Sequence, residues 1–239
     1  MSRADGAAAE IVLVPGHLCG EWLYAPQIAA LGGRPHHVAD VTRDRRIAAM
    51  AERLLADTSG PLVLVGLSMG GMVAMEAMAA APERIAGALL LDTDPHAARE
   101  KEVAWRRGER ARVAEAGVAV FSDPFSARSF SHRTDGGGDL AARVAARMRT
   151  TPGAVFGAQA DALDTRRDMV EAVAPFPGPV EIAVGAEDRI CPPRLHAPLA
   201  ARLADVRLTE MPGTGHLASV EAPETVTALL MRLLARARA

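Results

Sequence analysis

The sequence predicts an α/β fold: a mostly parallel sheet of about six strands, with helices on both faces and a helical cap insertion. Two observations predict it. Short runs of Val, Leu and Ile alternate with longer stretches of helical spacing, and the runs lack the polar alternation of half-exposed strands. The alternation stops once, between about residues 95 and 176, where several helices follow one another without a strand. A chain of 239 residues is long enough for one such domain.

The core elements are predicted from these two patterns in chain order. Strands are expected at the apolar runs 11–14, 37–41 (a weaker run), 62–65, 85–91, 180–184 and 206–211. Helices are expected where apolar residues recur every three to four positions, and Ile47, Met50 and Leu54 are the clearest example. The core helices are therefore placed at residues 25–31, 47–56, 72–78, 193–204 and 223–237.

The domain boundaries follow from the one interruption of the pattern. Residues 1–94 and 177–239 are expected to form the two parts of the core, and residues 95–176 a helical cap over the carboxyl edge of the sheet. Residues 122–138 are rich in Ser, Pro and Gly, which predicts a loop within this insertion. Its helices are expected at residues 97–116, 140–148 and 153–163.

Composition excludes several classes of function. Aromatic residues make up only 3% of the chain and the net charge is −2, which disfavours a nucleic-acid partner. No apolar run approaches the roughly 18 residues that span a bilayer, and no export signal is evident, so we expect a cytoplasmic protein with no membrane partner. The two cysteines are expected to be free thiols. No phosphate-binding or dinucleotide motif occurs, so no cofactor or metal is predicted.

Gly66-Leu67-Ser68-Met69-Gly70 is the most informative motif of the chain. It directly follows the predicted strand 62–65 and precedes a helical stretch. A strand that turns at once into a helix forces the residue at the turn into a strained conformation, which lifts its side chain clear of the sheet. The flanking glycines allow strand and helix to approach closely. The motif therefore predicts that Ser68 is a nucleophile.

A serine nucleophile needs a base, and the base needs a carboxylate that orients it. Asp188 follows the predicted strand 180–184, and His216 follows the strand 206–211. Because carboxyl ends of parallel strands share one edge of a sheet, these side chains are expected to meet Ser68 there. Three other carboxylates remain alternatives for the acid: Glu187, Asp92 and Asp94.

The loop after the first strand is the candidate anion-binding pocket. The backbone N–H groups of His17 and Met69 are expected to bind the oxyanion of a tetrahedral intermediate. Leu18, Trp22 and Tyr24 follow in this loop and are candidates for the substrate pocket. Packing between the loop and the cap is the alternative role of the two aromatic residues.

The predicted cap is more basic than the rest of the chain. Residues 95–150 contain 11 basic and 7 acidic side chains, a net charge of +4 against −2 for the whole chain. Solvated helix faces account for such an excess in most proteins. The alternative is a cap that attracts an anionic substrate.

Five stretches of the chain resemble the α/β-hydrolase fold superfamily, specifically its small esterase-like members with a helical cap. The resemblance implies that Ser68 is the nucleophile, His216 the general base and then acid, and Asp188 the carboxylate that orients it. It also implies that the amides of His17 and Met69 form the oxyanion hole. The matching stretches are VLVPGHLCGEW (12–22), LVGLSMGG (64–71), LLLDTDP (89–95), VGAEDRICP (184–192) and PGTGHLASVEAP (212–223).

The function predicted from these residues is serine-dependent hydrolysis of small carboxylic esters or thioesters through an acyl-enzyme. The expected partner is a small-molecule substrate, and the sequence leaves the oligomeric state open. Two alternatives remain: a lyase or carbon–carbon bond hydrolase that uses the same triad, and a non-enzymatic ligand-binding protein.

Overall fold

Six strands form one sheet in the order β2-β1-β3-β4-β5-β6, and every neighbouring pair is parallel. The computed structural model describes residues 9–132 and 138–237. The sheet and the helices around it confirm the predicted fold class. The strands are β1 (Glu10–Val14), β2 (His36–Val38), β3 (Leu62–Leu67), β4 (Ile85–Leu91), β5 (Val180–Gly185) and β6 (Val206–Met211).

The central strands are buried on both faces, as their apolar sequences predict. All residues of β3 and β5 are buried. Because side chains alternate across a strand, each strand contributes to two separate cores. Leu13, Val65 and Leu91 belong to the core on one face. Leu64 and Leu90 belong to the core on the other face.

Helices cover both faces of the sheet. The helices α1 and α10 pack against each other, and α10 contacts β4 and β5 on one face. The helices α2 and α3 pack together on the opposite face. The core helices are α1 (Ala25–Ala30), α2 (Ile47–Asp57), α3 (Met69–Ala80), α8 (Ala197–Ala200), α9 (Ala218–Glu221) and α10 (Pro223–Arg236).

One predicted core helix is shorter than expected. The helix placed at residues 193–204 is instead a 3-10 turn, Pro193–Leu195, followed by the four residues of α8. Pro198 explains the difference, because inside a helix over 193–204 it would lack the N–H for an intrahelical hydrogen bond, whereas in the first turn of α8 no such bond is needed.

A helical segment, defined as residues 92–179, connects β4 to β5, and its described residues contain no strand. The prediction of a loop at residues 122–138 is wrong over most of its described part, since α5 spans Ala119–Ser129. Phe121 and Phe125 lie one turn apart on this helix and stack with their ring centroids 5.2 Å apart. This buried packing outweighs Pro124 inside the helix; residues 133–137 lie outside the described residues. The other helices of the segment are α4 (Glu100–Ala116), α6 (Gly138–Arg149) and α7 (Gly153–Asp164).

The strand order places the site. The chain leaves β1 for β2 on one side and returns to β3 on the other side of β1, so the order reverses between β1 and β3. In open parallel sheets, ligands bind at the carboxyl ends of the strands at such a reversal. Among the described helices, none combines the length and apolar character that a bilayer span requires.

Candidate active site

Ser68 lies at the turn between β3 and α3 in a strained backbone conformation, with φ of 55° and ψ of −116°. Close packing of backbone atoms fixes this turn. A Cβ atom on Gly70 would lie 1.9 Å from the carbonyl oxygen of Val14, and a Cβ on Gly66 would lie 2.4 Å from the carbonyl oxygen of Gly70. Only glycine fits at these two positions, so the motif enforces the turn that presents Ser68.

The side chains of Ser68, His216 and Asp188 form one continuous chain of hydrogen bonds. The Nε2 atom of His216 lies 2.9 Å from Oγ of Ser68, and its Nδ1 atom lies 2.8 Å from Oδ2 of Asp188. Because a carboxylate only accepts hydrogen bonds, Nδ1 donates to Asp188 and Nε2 accepts from the serine hydroxyl. His216 is 1% exposed and Asp188 is 3% exposed, so water competes little with these contacts.

The loop after β5 stabilises the ionised form of Asp188. Its Oδ1 atom accepts the backbone N–H groups of Ile190 at 2.7 Å and Cys191 at 2.9 Å. Burial opposes the negative charge, but the charge of His216 and these hydrogen bonds prevail, so the pKa of Asp188 lies below its usual value. Asp188 is thus an ionised partner for an imidazolium at His216.

The three alternative acids make other contacts. Asp92 accepts the backbone N–H groups of Gly185 at 2.8 Å and Ala218 at 3.2 Å, which ties together the loops that carry Asp188 and His216. Burial, and then the charge of Asp188, raise the pKa of Asp92 well above its usual value. Asp94 pairs with Arg99 and His96, and Glu187 accepts the backbone N–H of His132 at 2.8 Å. Asp188 is the carboxylate that contacts His216.

The loop of His216 is held by the end of α5. The backbone N–H of His216 donates to the carbonyl of Ser129 at 2.6 Å. The carboxylate of Glu221 accepts the backbone N–H groups of Gly215 at 2.6 Å and Ser131 at 2.9 Å. A Cβ on Gly215 would lie 2.4 Å from the Ser129 carbonyl oxygen, so the two segments are in direct backbone contact.

The loop after β1 runs beside the nucleophile, since a Cβ atom on Gly16 would lie 3.5 Å from Cβ of Ser68. Cys19 N–H donates to the carbonyl of Gly16 at 3.0 Å, so His17 and Leu18 are the central residues of a turn. Gln159, on α7, accepts the N–H of Leu18 at 3.0 Å and donates to the carbonyl of Val41 at 3.1 Å, which anchors this turn. Sequence reasoning did not single out Gln159; its one signal was an uncharged polar residue within an apolar helix.

Met69 is the first residue of α3, where backbone N–H groups have no acceptor within the helix. The helix dipole adds partial positive charge at the same end. The amide of Met69 therefore directly follows Ser68 at a position suited to bind developing negative charge.

A cavity of about 230 Å³ opens beside Ser68. Its lining is mostly apolar, and four of the eight aromatic residues of the chain take part. Charged side chains, discussed below, complete the wall. The apolar and aromatic lining residues are Met72, Trp105, Phe121, Phe125, Phe156, Leu163 and Ile190.

The predicted pocket residues Leu18, Trp22 and Tyr24 are not among those that line this cavity. Leu18 and Tyr24 are buried in the core on one face of the sheet, and Trp22 packs against that core. The hydroxyl of Tyr24 donates to the carbonyl of Val14 at 2.9 Å, so this ring braces β1. The aromatic residues of the cavity come instead from α4, α5 and α7, whose positions over the site the sequence did not reveal.

His17 also contributes its ring to the cavity wall. The ring lies 5.1 Å from Phe156 and 5.4 Å from Phe121 between centroids, and its Nε2 atom has no hydrogen-bond partner among the described residues. Burial is the main cause that lowers the pKa of His17 to about 4, and the positive charge of Arg106 contributes. The imidazole is therefore neutral at physiological pH.

Replacing His17 with Gln is expected to reduce the loss of stability in mild acid. In the unfolded chain His17 takes up a proton near its ordinary pKa of 6.5, whereas the folded protein resists it until about pH 4. Acidification from about pH 7.5 to about pH 5 therefore favours unfolding of the wild type by about 2 kcal/mol at this residue. Urea unfolding at both pH values measures the effect. The variant should lack this component, and equal losses in the two proteins would contradict the assignment.

Only one group of potential metal ligands occurs within residues 9–132 and 138–237, formed by Asp188, Cys191 and His216. Both ring nitrogens of His216 already contact protein atoms. Burial raises the pKa of Cys191 well above its usual value, which disfavours the thiolate that binds metals. The ligand atoms of Asp188 and His216 are thus hydrogen-bonded to each other, and Cys191 is a neutral thiol.

Comparisons with known proteins agree with this architecture. The sequence profile of the Alpha/beta hydrolase family matches residues 8–229. BpoC of Mycobacterium tuberculosis, which carries the name of a non-heme bromoperoxidase, is 28% identical over 205 residues, covering 79% of this chain and 76% of BpoC. The pimeloyl-[acyl-carrier protein] methyl ester esterase of Aromatoleum aromaticum is 28% identical over 218 residues, covering 82% and 83% of the two chains.

Solved structures share the fold at lower identity. A thermophilic esterase from Thermogutta terrifontis superposes with a TM-score of 0.88 at 23% identity, covering 98% of this chain and 92% of that one. The match to the family profile spans nearly the whole chain, including every strand of the sheet. The chain belongs to the α/β-hydrolase family of enzymes.

Proposed function

We propose that this protein is a serine hydrolase that cleaves small carboxylic esters or thioesters through a covalent acyl-enzyme. One observation carries the proposal: the hydrogen-bond chain from Ser68 Oγ through His216 to Asp188, beside a cavity with a largely apolar surface. A serine hydroxyl is a weak nucleophile, and this chain supplies the base and the carboxylate that it needs.

Acylation follows from the geometry. The Oγ atom of Ser68 attacks the ester carbonyl while its proton passes to Nε2 of His216, 2.9 Å away. The charge that develops on the carbonyl oxygen is stabilised by the amides of His17 and Met69, and the imidazolium is stabilised by ionised Asp188. Collapse of the tetrahedral intermediate breaks the bond to the leaving oxygen or sulfur, which takes the proton from His216.

Deacylation repeats the same steps with water. Nε2 of His216 takes a proton from the water molecule, whose oxygen attacks the acyl carbon. The second tetrahedral intermediate then releases the acid product, and the proton returns from His216 to Oγ of Ser68. The proposed acylation and deacylation steps use no cofactor.

We propose that residues 95–176 act as a cap that shapes the substrate site. Ten of the seventeen lining residues of the cavity come from residues 95–176, eight of them from α4, α5 and α7, while the nucleophile comes from the core. The cap therefore selects substrates, and the core supplies the reactive groups.

The ester activity in the name of the Aromatoleum relative supports the proposal. The name of BpoC denotes a different reaction, that of a bromoperoxidase. Family membership alone therefore does not determine which reaction a member catalyses. A lyase or carbon–carbon bond hydrolase would use the same three side chains, and a binding protein would retain them without turnover.

Covalent labelling combined with a substrate panel tests the proposed function. A fluorophosphonate should modify the wild-type protein at Ser68 with loss of fluoride, detected by intact mass and peptide mapping. Turnover of 4-nitrophenyl esters of rising acyl length, and of matched thioesters, should reach a maximum at the acyl length that fits the cavity. Labelling at Ser68 without turnover of any ester or thioester would contradict hydrolysis and favour the alternative reactions. Absence of labelling would contradict an activated serine.

A further inference from the structure

The cavity wall beside Ser68 carries more positive than negative side chains. The described lining residues include five arginines and two carboxylates. Both carboxylates, Asp94 and Glu102, are engaged by Arg99 and Arg166 on the same part of the wall. The remaining three arginines, with no cavity-lining carboxylate as partner among the described residues, are Arg106, Arg128 and Arg189.

Arg106 is the most unusual of these residues because it is only 7% exposed. Its Nε atom donates to Asp164, but its Nη2 atom is buried and has no hydrogen-bond partner among the described residues. A guanidinium group stays charged in proteins, and a buried charged donor without an acceptor is strongly unfavourable. Such a donor calls for an acceptor that the described residues do not supply.

Among the described residues, Asp164 is the one carboxylate that pairs with Arg106, and it does not fully neutralise the charge of this arginine. Asp164 Oδ2 also accepts Nη1 of Arg110 at 2.9 Å, so two arginines share its charge. The positive charge of Arg106 reaches the cavity, since it contributes to the lowered pKa of His17, another lining residue. Positive potential therefore remains within the cavity.

Arg128 and Arg189 extend the positive potential to the outer part of the wall. The guanidinium of Arg128 lies over Trp105 and Phe125, with its Cζ 5.4 and 5.6 Å from the ring centroids. Arg189 donates to the backbone carbonyls of Arg128 and Phe130. Neither forms an ion pair with a carboxylate within the residues that the structure describes. Both are exposed, so they attract anions from solvent.

We propose that the cavity binds ester or thioester substrates that carry a carboxylate, with Arg106 as the residue that recognises it. This inference rests on the proposed function. Apolar and aromatic side chains form part of the same cavity lining, which suits an aliphatic spacer between the ester and the carboxylate. The substrate class is therefore half-esters of aliphatic dicarboxylic acids. Arg106 binds the carboxylate, and Arg128 and Arg189 guide its approach.

The selectivity for a carboxylate is tested by comparing monoethyl adipate with ethyl hexanoate, which has the same acyl length without the second carboxylate. The wild type should hydrolyse monoethyl adipate with at least about tenfold higher kcat/KM. Salt should reduce this preference, because exposed Arg128 and Arg189 act over distances that ions screen. Equal or lower kcat/KM for the charged ester would overturn the proposal.

Substitution of Arg106 then assigns the recognition to one residue. In Arg106→Met the preference should disappear, through a loss of about 10- to 100-fold on monoethyl adipate and less than about threefold on ethyl hexanoate. Arg107→Met is the matched control, because Arg107 is the exposed neighbour of Arg106 on α4 and does not line the cavity. It should keep the preference. A preference retained in Arg106→Met, or lost equally in both variants, would contradict the role of Arg106.

Binding of adipate provides a measurement that does not depend on turnover. Calorimetric titration of the wild type should show binding that Arg106→Met weakens at least about tenfold and Arg107→Met leaves unchanged. Circular dichroism and thermal unfolding show whether each variant is folded. If Arg106→Met does not fold, competition decides: adipate should inhibit ethyl hexanoate hydrolysis by the wild type, and hexanoate should do so far less. Adipate binding without ester turnover would overturn the proposed function alone, whereas ester turnover without adipate binding would overturn this inference alone.

Discussion

Replacing Ser68 with alanine is expected to lower ester turnover by about 10⁴- to 10⁶-fold and to abolish the burst of product that acylation causes. The variant loses the oxygen that attacks the carbonyl, and His216 loses the proton donor 2.9 Å from its Nε2 atom. The fold should persist, because alanine carries the same Cβ as serine in the strained turn at φ of 55°. Pre-steady-state kinetics with a 4-nitrophenyl ester measure both effects.

Ser219→Ala is the matched control for this experiment. Ser219 is also a buried serine close to the sheet edge, but its hydroxyl has no hydrogen-bond partner among the described residues. Its removal should leave turnover within about threefold of the wild type. If Ser68→Ala kept turnover within tenfold of the wild type, the covalent mechanism would be wrong.

Replacing Gly70 with alanine is expected to lower the free energy of unfolding by at least about 3 kcal/mol and to prevent folding in a marginally stable protein. The added Cβ would lie 1.9 Å from the carbonyl oxygen of Val14, far inside the 3.0 Å that real Cβ atoms keep. Backbone atoms of β1 cannot move aside without disturbing the whole sheet. Urea unfolding measures the loss, or expression of insoluble protein reveals it.

Replacing Gly108 with alanine should instead raise the free energy of unfolding. Gly108 lies within α4, and a Cβ there would meet no atom within 4 Å. Alanine should therefore stabilise the protein by about 0.5–1 kcal/mol through its greater helix propensity. Similar effects of the two substitutions would show that the close approach at Gly70 does not limit stability.

The core of the fold was predictable because its elements are specified locally. The strand over Ile85–Leu91 has the predicted bounds, and β3 and β5 extend the predicted runs by one or two residues. Parallel strands buried on both faces produce short, continuous apolar runs. The shortness of these runs and the glycines and prolines at their ends distinguish them from helices. The contacts of Ser68, His216 and Asp188 were predictable for a related reason, since all three follow strands whose carboxyl ends share one edge.

The cavity was not predictable, because its residues come together only through the packing of helices. α5 contains Pro124 and several serines that indicate a loop, yet Ser126 and Ser129 direct their hydroxyls to backbone carbonyls and the helix forms. Likewise, the sequence shows the excess of basic residues in the insertion. It does not show that Arg106 is buried with an Nη2 atom that has no hydrogen-bond partner among the described residues. Tertiary contacts decide both features, and sequence patterns do not encode them.

The contacts of Ser129 and Ser131 with the loop of His216 divide the helical segment 92–179 into two parts with different freedom to change. α4 contributes side chains to the cavity and none of the contacts described above to this loop, so exchange of its side chains should alter selectivity without disturbing proton transfer. Residues 129–131, at and just after the end of α5, have no such latitude, because the backbone atoms of Ser129 and Ser131 hold the loop of His216 in place. A chimera that takes α4 from a relative must therefore keep residues 129–131 of this chain.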